Sequence, residues 1–167
     1  MEGREHQLFE PHDGMRGVSV ATLATPPDHW AALVPELAVS DLAKSLAFYT
    51  DMLGFRLCYA RPGFAYLERG HAQIMLEDVA GAWTTAPANR PFGRGINLQI
   101  EAEDAGQLYD RLRAAHWPMF REMQESWYRA GDVEHGQREF LIQDPDGYLL
   151  RFVEPLGERA TTHEANA

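Results

Sequence analysis

The stretch Val34-Pro35-Glu36-Leu37-Ala38-Val39-Ser40-Asp41 decides the fold. Its residues alternate, with Pro35, Leu37 and Val39 on one side of an extended chain and Val34, Glu36 and Ala38 on the other. Asp41 then offers its carboxylate as a helix N-cap. Leu42, Leu46, Tyr49 and Leu53 follow as one stripe of an amphipathic helix, and Gly54 stands where such a helix stops. Three short extended segments come next, at 55–61, 64–69 and 72–78, punctuated by Pro62-Gly63 and Arg69-Gly70-His71. The unit reads strand, helix, strand, strand, strand.

Working outward, a linker rich in Pro, Ala and Gly runs over 79–95, and then the same order starts again. Residues 96–102 alternate as a strand, with Ile96, Leu98 and Ile100 against Asn97, Gln99 and Glu101. Asp104 caps a helix with the stripe Ala105, Leu108, Leu112 and Ala115. Extended segments follow near 119–128, 138–143 and 148–154, the last two joined by the turn Asp144-Pro145-Asp146-Gly147. No glutamate stands downstream at calcium-loop spacing, so this is a turn and not a cation site. The expected fold is therefore α+β, two βαβββ modules forming a cup-shaped mixed sheet with the helices on its outer face. Val34, Glu36 and Ala38, with Asn97, Gln99 and Glu101, then point to the function.

The expected organisation is an irregular N-terminal arm over 1–30, one domain over 31–157 and a polar tail over 158–167. Within the domain, module one spans 33–78 and module two 96–155. His6 and His12 read as tail histidines. The 167 residues carry 25 Asp and Glu against 15 Lys and Arg, a net charge of −10 that disfavours nucleic acid or an anionic membrane as partner. No apolar run is long enough to span a bilayer, and the N-terminus lacks the pattern of a signal peptide. Cys58 is the one cysteine, so no internal disulfide forms and a cytoplasmic location is expected.

Three segments carry a resemblance. Residues 34–41 run on to Ala47-Phe48-Tyr49-Thr50-Asp51-Met52-Leu53-Gly54-Phe55, residues 97–104 open the second module, and Arg138-Glu139-Phe140 leads through the Asp144–Gly147 turn to Leu149-Leu150-Arg151-Phe152. Together they resemble the vicinal oxygen chelate (glyoxalase/bleomycin resistance/dioxygenase) superfamily, nearest its bleomycin-resistance branch. The resemblance implies a cup that in the enzymes holds a divalent metal with four side chains, one from each of four strands. Those positions fall on Val34, on Met75 (or Glu77 in a register two residues on), on Asn97 and on Arg151. Val and Met are poor donors for such ions, and Arg brings a cation to a cation's place. His71, His116 and His135 make no ligand pair at helical spacing. Nucleophile motifs are missing as well, and Glu36 with Glu101 reads as rim charge or as a partner of Arg151 before it reads as a catalytic pair.

What the resemblance implies is a homodimer without metal or other cofactor, binding a small molecule such as a cationic glycopeptide antibiotic. Aromatic rings would stack its flat parts and carboxylates would attract its charge. The expected ligand-binding residues are Glu36, Phe48, Phe64, Met75, Asn97, Gln99, Trp127, His135 and Arg151, with Tyr66, Trp83, Phe92 and Tyr128 as further aromatic candidates. One departure stands out: where the branch has Pro-Trp-Gly before Arg-Glu-Phe, this chain reads Glu134-His135-Gly136-Gln137, with His in the Trp position and one residue inserted. Two readings stay open beside the binder. One is a metal-dependent lyase, isomerase or dioxygenase of the same superfamily, and the other is a scaffold whose cup binds nothing. Arg151, on the face opposite Leu150 and Phe152, is expected to pair in the cup with Glu36, Glu77 or Glu101.

Overall fold

The computed structural model describes residues 25–161; His6 and His12, most of the expected arm and the end of the expected tail lie outside that range. Glu36–Val39 forms β1, whose alternation is as the sequence reads: Leu37 and Val39 are buried while Glu36 is exposed. Asp41 caps α1 (Leu42–Ala47), its side chain accepting from the Lys44 amide. The helix then widens into a π-helical turn, Phe48–Met52, in which the Leu53 amide donates to the Phe48 carbonyl. Ser45, Phe48, Tyr49 and Leu53 are buried, whereas Leu42 and Leu46 are only half-buried. Gly54 ends the helix at φ +75°, a conformation costly to any residue with a Cβ.

β2 (Arg56–Arg61), β3 (Phe64–Arg69) and β4 (Ala72–Asp78) complete the first sheet, in the order β1-β4-β3-β2 with β1 parallel to β4. The second module repeats the plan. β5 (Asn97–Glu101) leads to α2 (Ala105–Ala114), then β6 (Met119–Ala130), β7 (Val133–Gln143) and β8 (Leu149–Ala160), in the order β5-β8-β7-β6. Asp104 sits at the N-cap of α2 but does not cap it; its carboxylate is paired with Arg69 of module one. Ala105, Leu108 and Leu112 are buried and Ala115 is exposed. β7 starts five residues before, and β8 ends six residues after, the segments expected from the sequence, and β8 continues through Glu158 into what reads as polar tail.

The two sheets share one core. Leu37, Val39, Leu67 and Leu76 from the first sheet join Ile100, Phe140, Ile142, Leu150 and Phe152 from the second, with Phe48, Leu53, Leu108 and Leu112 from the helical segments. Each fully buried Leu, Ile or Phe contributes roughly 1.5–3 kcal/mol by leaving water. The Asp144–Gly147 turn locks the modules together. Asp144 Oδ1 accepts from the amides of Asp146, Gly147 and Tyr148, and its Oδ2 accepts from the Tyr49 hydroxyl at 3.0 Å. Asp146 accepts from Ser40 Oγ at 2.6 Å and pairs with Arg90 of the linker. Burial, opposed by these hydrogen bonds, leaves the Asp144 carboxyl above its ordinary range.

With the core between the helix-side faces, the other face of each sheet is left open. None of the hydrogen bonds, ion pairs or ring contacts among the described residues joins one open face to the other. The expected cup therefore consists, within this chain, of two separate four-stranded halves.

Candidate ligand-binding site

On the first sheet, register sets the open face. Glu36 lies beside Met75, Met75 beside Tyr66, Phe64 beside Glu77, and Tyr59 beside Tyr66. Phe64, Tyr66 and Cys58 form a small buried cluster of their own, with Val34, Tyr59 and Met75 packed against it. Tyr59 and Tyr66 are stacked, 5.3 Å between ring centres, and Trp30 meets both of them edge-on. Burial raises the Cys58 thiol above its ordinary pKa, as expected of a small packed hydrophobe rather than a nucleophile.

Trp30 comes from the segment expected to be an irregular arm, and Gln73 explains its position. That side chain is 3% exposed and works as a double clamp, its Nε2 donating to the His29 carbonyl and its Oε1 accepting from the Ala31 amide, both at 2.7 Å. The Tyr66 hydroxyl also donates to Oε1, and Arg56 donates to the Thr25 carbonyl. Residues 25–31 are thus strapped to the sheet, holding the Trp30 ring over the tyrosines with more than half of the residue still exposed.

On the second sheet, Asn97, Gln99, His135 and Arg151 share the open face with Ser126, Tyr128, Gln137 and Glu139. Arg151 does pair with a carboxylate there, but the partner is Glu139, not Glu36, Glu77 or Glu101. Arg151 Nε donates to Glu139 Oε2 at 2.6 Å, and its Nη2 donates to the Tyr128 hydroxyl and to Gln137 Oε1. Glu139 is 1% exposed and also accepts from Tyr128 at 2.8 Å and Ser126 at 3.1 Å. Burial alone would raise its pKa; the bonds from Tyr128, Arg151 and Ser126 outweigh burial and hold it below the ordinary glutamate range. His135 is half-exposed beside Glu158.

Two expected residues are not brought to these faces. Phe48 is buried in the core against Trp117, 4.3 Å between ring centres, on the same helix face as the buried Ser45. Trp127, next to Tyr128 in a strand, takes the opposite face of the sheet, where its ring covers Gly136 and carries Arg159 at 4.1 Å. A Cβ on Gly136 would come within 2.6 Å of that ring, so this glycine is required by the close approach. Sequence reading missed Trp30, Tyr59, Gln73 and Glu139. Only Glu139 had a usable signal: counting outward from the Asp144–Gly147 turn sets Leu141 opposite Arg151, with Glu139 two residues along on the same face.

The four positions where the resemblance implies metal ligands do not fit a divalent ion. Val34 and Met75 pack in the aromatic cluster of the first sheet, Asn97 offers one amide, and Arg151 holds the Glu139 carboxylate. Among the described residues, no group of three or more His, Cys, Asp or Glu is placed to hold a metal. A groove of about 490 Å³ opens where the linker crosses between β1 and β5, lined in part by Glu36, Trp83, Phe92, Ile96 and Leu149. Trp83 is 98% exposed at its rim, and Leu33 and Ile96 are largely exposed as well.

Comparison with known proteins agrees with this architecture. The profile of the Glyoxalase/Bleomycin resistance protein/Dioxygenase superfamily matches residues 27–152. A bleomycin resistance protein of Geobacillus stearothermophilus is 26% identical over 137 residues, covering 74% of this chain and 96% of that one. A lactoylglutathione lyase of Neisseria meningitidis is also 26% identical, over 126 residues covering 71% and 86%. Among solved structures, TioX from Micromonospora sp. ML1 superimposes with a TM-score of 0.60 at 22% identity, covering 76% of this chain and all of that one. The chain belongs to the Glyoxalase/Bleomycin resistance protein/Dioxygenase superfamily.

Proposed function

We propose that this protein binds and sequesters a small organic molecule on its open sheet faces, without a metal and without chemistry, and that the ligand is a cationic antibiotic of the glycopeptide type. The observation that supports this most is the donor set: where the superfamily's enzymes keep ligands, this chain has Val34, Met75, Asn97 and an Arg151 already bound to Glu139. The first sheet instead offers stacked aromatic rings with carboxylates beside them, suited to a flat, positively charged guest. Of the residues expected to touch ligand, Glu36, Phe64 and Met75 on one sheet and Asn97, Gln99, His135 and Arg151 on the other remain the candidates.

Each open face is half a cup, so the working unit of this reading is a two-fold dimer in the cytoplasm, in which one subunit's first sheet faces its partner's second. The exposed Leu33, Trp83 and Ile96 are the apolar surface such a dimer would cover. Light scattering should give twice the chain mass at micromolar concentration, and a monomer throughout would count against the dimer.

The experiment that tests the function is a thermal-shift screen against bleomycin-type drugs. A ligand at 100 times its dissociation constant adds about 2.7 kcal/mol of stability. A shift with these drugs and not with unrelated neutral antibiotics is the expected result, and no shift with any of them would remove the reading. The second reading is a metal-dependent lyase, favoured by the 26% identity to a lactoylglutathione lyase. Stoichiometric Zn, Ni, Mn or Fe in the purified protein would favour it over the binder.

A further inference from the structure

We infer that Phe64 and Glu77 form a subsite for a planar cation, and that Arg61 occupies it as a placeholder until a ligand's own cationic group displaces it. The inference deepens the proposed binding function and rests on the open face of the first sheet being the ligand face. The Arg61 guanidinium lies over the Phe64 ring, 3.7 Å from its centre. Its Nη2 stands 3.5 Å from Glu77 Oε2. Pairing places the three together on one face, Arg61 opposite Phe64 on β2 and β3, and Phe64 opposite Glu77 on β3 and β4. Tyr59 adds a second ring, 5.7 Å from Phe64. A flat cation on an aromatic face, with a carboxylate at its edge, is the arrangement that binds guanidinium, amidinium and similar groups.

The other open face has the same three components, and the contrast decides which is exchangeable. There Arg151 lies near the Tyr128 ring and is held by Glu139, Tyr128 and Gln137, its side chain 23% exposed and its carboxylate partner 1%. The Arg61 side chain is 58% exposed, and its one polar contact among the described residues is the 3.5 Å approach to Glu77. The Glu77 side chain is 17% exposed, but with its arginine mostly in solvent and 3.5 Å away the pair has little net stability. A ligand could therefore take the place of Arg61 at small cost, whereas displacing Arg151 would strand a buried carboxylate.

The test uses benzamidine, a planar aromatic amidinium, titrated calorimetrically into the full chain. Arg61→Ala should bind it about three- to five-fold tighter than wild type, since no placeholder has to leave. Arg113→Ala, which removes the same charge from the far end of α2, should match wild type. Glu77→Gln in the Arg61→Ala background should weaken binding again. Arg61→Lys, which keeps the charge but loses the flat stack, should tighten binding as well, and covers the case in which the alanine variant folds poorly. Arg61→Ala binding no tighter than Arg113→Ala would overturn the placeholder, and so would benzamidine binding to none of the variants. Should the antibiotics still shift the wild-type melting temperature in that case, only the subsite falls and the binding function stands.

Discussion

Arg151→Met is expected to cost about 3 kcal/mol of unfolding free energy, far more than an exposed arginine would. The cost arises because Glu139, 1% exposed, would be left charged with only neutral partners, the Tyr128 and Ser126 hydroxyls and the Gln124 amide. The value sits at the low end for a broken buried pair because the Arg151 side chain still reaches solvent over 23% of its surface. The double variant Glu139→Leu/Arg151→Met should recover most of the loss, since neither charge then remains to be solvated. The pH dependence follows in sign. The folded pKa of Glu139 is depressed, so its contribution is present above the ordinary glutamate pKa and is lost as pH falls through the lower, folded value. Wild type should therefore lose stability on acidification more steeply than the double variant. Chemical denaturation across the acid range checks both points; equal stability of wild type and Arg151→Met at neutral pH would show that the pair is a surface contact.

Leu108→Ala should cost about 3–4 kcal/mol, because Leu108 is fully buried between α2 and the second sheet, and truncation removes both transfer energy and packing. Leu46→Ala should cost only about 1 kcal/mol, although both leucines stand in the apolar stripe of their helix in the sequence. Leu46 is half-buried, and Ser45, Phe48 and Tyr49 form the buried face of the helix. Equal costs at the two positions would mean that Leu46 is packed as deeply as Leu108.

The boundary of what the sequence discloses lies between local pattern and long-range packing. Strand alternation, the Asp41 cap, the Gly54 stop and the Asp144–Gly147 turn are local signals, each set by a few residues, and they yield both modules and the face of every first-strand residue. Phe48, beside Tyr49 of the stripe, lies in the core because it packs against Trp117 of module two, a long-range contact that local spacing does not reveal. Trp127 and Tyr128 are neighbours in a strand and cannot share a face, so only one of them could have reached the ligand side. The partner of Arg151 depends on hairpin register rather than on composition, and three other glutamates were equally plausible without it. The strap over residues 25–31 depends on Gln73, more than forty residues away, and no local pattern in the arm announces it.

The central claim is binding on a face that needs no metal. Calorimetric titration of the chelator-treated protein with metal-free bleomycin, in buffer that still contains the chelator, tests it most directly. The account predicts saturable binding at one drug per subunit, undiminished by removal of metal. Failure to bind under those conditions, together with a divalent ion that co-purifies at one per subunit and supports lyase activity, would contradict it.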